Sequence, residues 1–216
     1  MNAMCLSSGS KPTSVVIAAV GGQGALLASR VLARYAMLRG FDVKVSEIHG
    51  MSQRGGSVVT HVRFGQAVHS PVVEVGTADA VVAFELLEAA RYAPYVRSGG
   101  LLISSTQRIA PLTVLTGAAS YPADLEATLT ALPVRCLLVD AQRRAEALGH
   151  VRAVNTLLLG VLAFQMTSEV EPWRDAIRAT LPSKHHPVNL AALDAGWALY
   201  ADGASGRSPA SKGVRA

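Results

Sequence analysis

SVVIAAVGGQGALLASRVLARYAMLRG, residues 14–40, decides the architecture. It opens with a short apolar run rich in β-branched residues, the composition of a strand covered on both faces. Gly21, Gly22 and Gly24 follow almost at once, and then apolar residues recur at helical spacing as far as Gly40, a natural helix stop. Strand, glycine turn and helix in immediate succession make the first half of a βα unit. Such a turn exposes backbone N–H groups beside the positive end of the helix dipole, which together can hold a phosphate or carboxylate. The same glycines also suit a turn that only lets strand and helix pack closely, and the residues leave both readings open.

The rhythm continues along the chain. FDVKVSEI (41–48) alternates like a second strand, SVVTHVRFG (57–65) is a third and ADAVVAFE (78–85) a fourth, with LLISST (101–106) and VRCLLVD (134–140) as two more. Helical spacing is expected in LLEAARYAPYVRSGG, which Gly99-Gly100 would end. It returns in AQRRAEALG, AVNTLLLGVLAFQM, EPWRDAIRATL and PVNLAALDAGWALYAD, so nearly everything beyond Ala141 reads as helix. This alternation predicts an α/β fold: a single doubly wound, Rossmann-like domain with a mostly parallel sheet and a helical C-terminal part. Residues 47–75 interrupt it with two strands and no helix between, which predicts a β-hairpin insertion on one edge. The domain is expected to span residues 14–201, with Ser- and Gly-rich tails over 1–13 and 202–216 predicted to be disordered.

Composition narrows the function. The chain has 216 residues, 50% apolar and 16% charged, with a formal charge of +5. Lys11, Arg207, Lys212 and Arg215 against Asp202 account for most of that excess, leaving 16 cations and 14 acids in residues 14–201. A nucleic-acid surface would need a basic stripe interleaved with aromatics on the folded part, so no nucleic-acid partner is expected. Two cysteines, Cys5 and Cys136, are too few to ligate a cluster, and no metal site is expected. The first residues lack the charged and apolar regions of a secretory signal, and no apolar run approaches the ~20 residues of a membrane span. A cytoplasmic protein without a membrane partner is the expectation.

The loop EIHGMSQRGG, residues 47–56, is denser in chemistry. Glu47, His49, Gln53 and Arg54 gather at the carboxyl end of a strand, where open α/β sheets build their sites. Arg54 offers a planar fork for a carboxylate or phosphate, Met51 an adaptable apolar contact, and Gly55-Gly56 a backbone that another chain or ligand can approach closely. A surface loop closed by a Glu47–Arg54 pair is the plainer reading. His49 beside an acid has the pattern of a general base, yet no nucleophile or third orienting group accompanies it. The composition points to a contact loop, not a self-contained catalytic centre. Glu47 also stands at the distance past the glycine turn where a dinucleotide fold keeps its ribose-binding acid, although the turn lacks the G-x-G-x-x-G spacing.

Two weaker signals remain. Asn155 interrupts an otherwise apolar helical run, where its amide needs a partner. That partner is either a loop backbone of the same domain or a group near an interdomain surface. His185 and His186 precede Pro187, a helix-start residue, and suit a surface turn better than a metal site.

GGQG at 21–24, SEIHGMSQRGGSVVTHVRFG at 46–65, Ser70-Pro71, ADAVVAFELLEAAR at 78–91 and GHVRAVNTLLLG at 149–160 together are similar to one family. The chain resembles the gamma-type domain of the 2-oxoacid:ferredoxin oxidoreductases, and among them the small (beta) subunits of the indolepyruvate-oxidising enzymes, over about residues 14–200. The family turn reads G-x-G-G-Q-G, and Ala19 replaces its first glycine here. The resemblance implies oxidative decarboxylation of a 2-oxoacid, with indolepyruvate or another aryl pyruvate as the substrate. It implies an acyl-coenzyme A product and electrons passing to ferredoxin. This chain lacks both cluster cysteines and the G-D-G…N segment that holds a diphosphate through magnesium. Thiamine diphosphate, Mg and 4Fe-4S clusters are therefore expected on a large partner subunit, in a heterotetramer of two copies of each chain. By the same resemblance, Gly21, Gly22, Gln23 and Gly24 are cofactor-binding candidates, with coenzyme A possible at the interface. Glu47, His49, Met51, Gln53, Arg54, Gly55 and Gly56 are candidates for subunit contact and active-site closure, and Asn155 is secondary. A stand-alone nucleotide- or flavin-binding regulatory domain and a self-sufficient NAD-dependent enzyme are the competing classes.

Overall fold

The computed structural model describes residues 11–50 and 55–201. Met51, Gln53 and Arg54 lie outside the described residues, as do the expected tails apart from Lys11–Thr13. Six strands form one sheet: β1 Thr13–Val20, β2 Asp42–His49, β3 Ser57–Gly65, β4 Ala78–Ala83, β5 Val96–Ser105 and β6 Arg135–Val139, in the order β2-β3-β1-β4-β5-β6. β1 runs parallel to β4, β4 to β5 and β5 to β6, while β3 runs antiparallel to both β1 and β2. The expected hairpin is therefore β2–β3, and its second strand lies between the first two strands of the βα unit. Thr13, assigned by composition to the tail, pairs with Phe64 at the start of β1.

β1 is the central strand, and its sequence explains why. Every residue from Thr13 to Val20 is buried. Side chains alternate across the sheet, so Val15, Ile17 and Ala19 enter one core while Val16 and Ala18 enter the other. The first core is closed by α1 (Ala25–Leu38), α6 (Val154–Met166), α7 (Glu171–Thr180) and α8 (His186–Ala201), and the second by α2 (Leu86–Tyr92) and α4 (Leu125–Thr130). Helices on both faces satisfy the doubly wound expectation. Ala19 lies inside β1 opposite Val58 with its side chain fully buried, so an added Cβ at that position of the turn motif fits a strand residue.

The C-terminal helices pack unusually tightly. Trp173 of α7 is fully buried and stacks on Tyr35 of α1, ring centroids 4.1 Å apart and planes 15° from parallel, which locks α7 onto α1. Where α6 crosses α8, Gly160 faces Leu193 and Gly196 faces Leu157, with no room for a Cβ on either glycine. The two backbones touch.

One expected boundary moves. α2 ends at Tyr92, a 3-10 turn covers Ala93–Tyr95, and β5 begins at Val96, so Gly99 and Gly100 lie in a strand and not at a helix end. Pro94 supplies the reason, because it cannot donate the next helical hydrogen bond. Gly100 is needed where it is: a Cβ there would lie 2.8 Å from Val96 Cγ1 and 2.9 Å from the Arg97 carbonyl oxygen. Two short helices, α3 (Leu112–Leu115) and α4, occupy a stretch where periodicity announces none. Among the described residues, no helix is long and apolar enough to cross a membrane.

Candidate functional site

The glycine turn sits at the carboxyl end of β1, with the hairpin on one side of that strand and β4 on the other. This is the point in an open α/β sheet where the connections diverge and a crevice forms. Three neighbours hold the turn. Toward β3, the Gly21 N–H donates to the Gly56 carbonyl oxygen at 2.8 Å, and the Gly55 N–H donates to the Gly21 carbonyl oxygen at 3.3 Å. The two glycine elements singled out from the sequence are thus bonded to each other. Toward β4 and β5, Gln23 Nε2 donates to the Phe84 carbonyl oxygen at 3.1 Å and to Gln107 Oε1 at 2.9 Å, while its Oε1 accepts from the Val20 N–H at 2.8 Å. Toward α6, Asn155 Nδ2 donates to the Gly24 carbonyl oxygen at 3.3 Å.

These bonds sort the candidates. Both amide ends of Gln23 are engaged within the chain, so Gln23 shapes the turn and has little left to offer a ligand. Gly24 caps α1 at φ 86°, a left-handed conformation that favours glycine. Gly22, at φ 105°, has open space where a side chain would stand. Among the described residues, the N–H groups of Gly22, Ala25, Leu26 and Leu27 have no backbone partner, and no side chain caps the helix. That cluster can receive an anionic oxygen. Asn155 is buried, and its Oδ1 accepts from the Thr156 N–H at 2.7 Å. Thr156 Oγ1 in turn donates to Asn189 Oδ1 at 2.7 Å, and Asn189 Nδ2 donates to the His185 carbonyl oxygen at 2.8 Å. Of the two readings for Asn155, the bond to a loop of the same domain is the one observed.

Glu47 and His49 are exposed on β2, the edge strand. His49 Nδ1 lies 3.1 Å from the Gly50 carbonyl oxygen. Because β3 is interposed, β2 is two strand spacings, roughly 10 Å, from β1. The ribose-acid reading of Glu47 is corrected by this order, since a dinucleotide fold sets its acid on the strand next to β1.

Two functional candidates escaped the sequence reading. Glu85 and Glu88, at the carboxyl end of β4 and in the first turn of α2, are both buried carboxylates. Glu85 Oε2 accepts from the Glu88 N–H at 3.0 Å, capping α2, and its Oε1 accepts from the Ile109 N–H at 3.0 Å and from the Tyr121 hydroxyl. Burial, and then the Glu85 carboxylate, hold the Tyr121 phenol well above its ordinary range. Glu88 Oε2 accepts from Ser57 Oγ, and its Oε1 accepts from Arg91 Nε at 3.3 Å. The available signal was an acid closing an otherwise apolar strand and another three residues later.

The remaining polar candidates are ordinary. Cys136 is half-buried on β6, and burial pushes its thiol up to about 11, which leaves it protonated and unreactive. His186 Nε2 lies 2.7 Å from the Leu181 carbonyl oxygen. Among the described residues, no three His, Cys, Asp or Glu side chains form a group that could hold a metal ion.

The glycine turn and the Gly55–Gly56 segment are thus bonded to each other at the carboxyl end of β1, in the middle of the sheet. Residues 14–199 match the family model described as pyruvate ferredoxin/flavodoxin oxidoreductase, so the chain belongs to that family. It is a small, gamma-type subunit of a 2-oxoacid:ferredoxin oxidoreductase that works with a larger partner. The chain is 40% identical over 201 residues to indolepyruvate oxidoreductase subunit IorB of Archaeoglobus fulgidus, covering 91% of this chain and 98% of that one. Pyruvate oxidoreductase subunit PORC of Thermotoga maritima shares the fold, with a TM-score of 0.64 and 20% identity over 87% of this chain and 96% of that chain. So does 2-oxoglutarate:ferredoxin oxidoreductase of Magnetococcus marinus, solved with 2-oxoglutarate, coenzyme A and succinyl-CoA. There the TM-score is 0.64 and the identity 16%, over 93% of this chain and 33% of that longer one.

Proposed function

We propose that this subunit serves an enzyme that oxidises indolepyruvate or a related aryl pyruvate, releasing CO2, passing two electrons to ferredoxin and forming the acyl-coenzyme A thioester. The substrate reading follows the similarity to the IorB subunits. Thiamine diphosphate with Mg, and 4Fe-4S clusters, belong in this reading to the large partner, where they supply the decarboxylation and the electron path. The described part of this chain offers no donor set for either. Its own share is to dock on that partner through residues 47–56, to close the site against water, and to seat an anionic part of coenzyme A on the glycine turn.

The observation that carries this is the bond pair between Gly21 and the Gly55–Gly56 segment. It joins the Gly55–Gly56 end of the contact loop and the anion-receptive turn into one backbone unit at the carboxyl end of β1, so in this reading docking and ligand seating act at the same place. In this reading Arg54 is a partner contact, Gly22 the open approach to the N–H groups, and the assembly a heterotetramer of two copies of each chain in the cytoplasm.

The test is an oxygen-free, tagged purification of this chain from its host. A brown eluate containing a large second protein, with thiamine-dependent oxidation of indolepyruvate, is the expected result. Arg54→Ala is expected to weaken retention of the large chain, and Gly22→Ala to raise the KM for coenzyme A. A colourless protein that comes alone would instead favour a solitary nucleotide- or flavin-binding domain.

A further inference from the structure

Glu88 occupies a position where nothing in the packing calls for a charge. Leu86 and Ala89 already supply the apolar contacts of α2, and Glu85 already caps its N-terminus. Glu88 is nonetheless only 4% exposed, and burying a carboxylate is costly unless its oxygens are matched. They are matched, by Arg91 from the solvent side and by Ser57 from the sheet side. Ser57 is the first residue of β3 and the neighbour of Gly56, whose carbonyl oxygen accepts the Gly21 N–H. Two hydrogen bonds, joined through the main chain from Ser57 to Gly56, therefore connect the Glu88 carboxylate to the glycine turn.

Among the described residues, that line supports the turn on a side where no other side chain does. Gln23 braces it toward β4 and β5, and Asn155 braces it toward α6. On the β3 side, among the described residues, the turn is held by the backbone of Gly55 and Gly56 just past the Val20–Ser57 pair that ends the β1–β3 ladder, and Gly55 stands at φ 76°. The ladder fixes the backbone of Ser57, and the bond from its hydroxyl to the buried Glu88 carboxylate adds a side-chain anchor next to the two glycines.

We propose that Glu88 is a positioning residue for the glycine turn, acting through Ser57 and the Gly56 peptide to set where the N–H groups around Gly22 point. The inference rests on the reading that this turn seats an anionic part of coenzyme A. It predicts that loosening the line misplaces the bound carrier without touching the chemistry on the partner.

The experiment uses the purified complex of this chain with its large subunit, and compares Ser57→Ala, Glu88→Ala and Glu88→Gln with Gly22→Ala. The KM for coenzyme A, kcat at saturating coenzyme A and the Tm of the complex are measured for each. Ser57→Ala and Glu88→Ala are expected to raise the KM for coenzyme A about tenfold, equivalent to about 1.4 kcal/mol of lost positioning, with kcat held within about twofold. Glu88→Gln keeps an acceptor oxygen for Ser57 and is expected to restore the KM to within about twofold. Glu88→Ala is the variant at risk of misfolding, and Ser57→Ala, which removes one oxygen, keeps the test decisive. An unchanged KM in Ser57→Ala, in a complex where Gly22→Ala does raise it, would overturn this inference alone. If Gly22→Ala also left the KM unchanged at an unchanged Tm, the coenzyme A reading would fail and this inference with it.

Discussion

Asn155 occupies the space that a side chain on Gly24 would need: a Cβ there would lie 2.5 Å from the Asn155 amide nitrogen. The asparagine is thus both the hydrogen-bond partner of the turn and the reason that the turn must end in glycine. Asn155→Ala would leave the Thr156 N–H without its acceptor and remove the bond to Gly24, and is expected to lower stability by about 1–3 kcal/mol. Gly24→Ala would combine a left-handed φ with this clash and is expected to cost at least as much. Urea midpoints of the isolated subunit measure both, and values indistinguishable from the unsubstituted chain would contradict the assignment.

The α6–α8 crossing makes a sharper prediction. Gly160→Ala and Gly196→Ala would each push a methyl group into the backbone of the facing helix, and each is expected to destabilise by about 1–3 kcal/mol or more. The two sites share one crossing, so the double variant is expected to lose less than the sum of the singles. Strict additivity in chemical denaturation would mean that the helices do not meet at these glycines.

Glu85 ties three segments to one carboxylate, and its loss is expected to be felt far from position 85. Glu85→Ala would strand the N–H groups of Glu88 and Ile109 and the hydroxyl of Tyr121. It is expected to cost about 1–3 kcal/mol for each donor left buried and unpaired. Limited proteolysis is expected to cut first between Ile109 and Tyr121, the segment that Glu85 closes at both ends. Cleavage confined to other regions would argue against that role.

Acid sensitivity has a specific source in His61. Its Nδ1 accepts the Val73 N–H at 3.0 Å, its ring is buried beside the edge of Tyr95, and burial lowers its pKa below the ordinary 6.5. The unfolded chain therefore binds a proton at this residue before the folded chain does. Stability from this group is complete above pH 6.5 and falls as pH drops through the window below it, toward the depressed folded value. A titration of unfolding free energy between pH 8 and pH 5 is expected to decline in the unsubstituted protein. In His61→Gln this component is expected to vanish. Asp42 and Glu171, both lowered by hydrogen bonds to cations, lose their contribution only as pH falls below the ordinary carboxylate range, so the decline that begins at pH 6.5 is the one assigned to His61.

Much of this fold can be read from residues alone because its strongest elements are local. The first strand, the glycine turn and α1 carry their burial pattern and their stop signals within one stretch, and they lie where that pattern sets them. The hairpin was legible as a broken rhythm. The position of β3 between β1 and β2 was not, because strand order is a property of distant pairings. α2 was drawn too long because Gly99-Gly100 has the look of a helix stop, whereas Pro94 ends the helix earlier. In the candidate site, the glycines were found by their spacing. The bracing role of Gln23 depends on Phe84 and Gln107, and that of Glu88 on Ser57, and contacts across such separations leave no local trace. A charged residue at a strand end or in a helical pattern also reads as solvent-facing by default, which hid Glu85 and Glu88 respectively.

The interposed strand has a consequence for how the molecule is assembled. The turn between β1 and α1 looks, in sequence, like a piece the chain completes as soon as it emerges. Its lateral bonds, however, come from the Gly55–Gly56 end of a hairpin whose second strand pairs with β1 from Phe64 to Ser57. Joining segments so far apart in the chain is slow relative to helix or hairpin formation, since the intervening loop must be closed before any contact rewards it. A nascent or partly folded chain thus carries the glycines without the receptive shape. The turn reaches its braced form only when the strands that hold it are paired, so its geometry belongs to the folded domain and not to the local sequence.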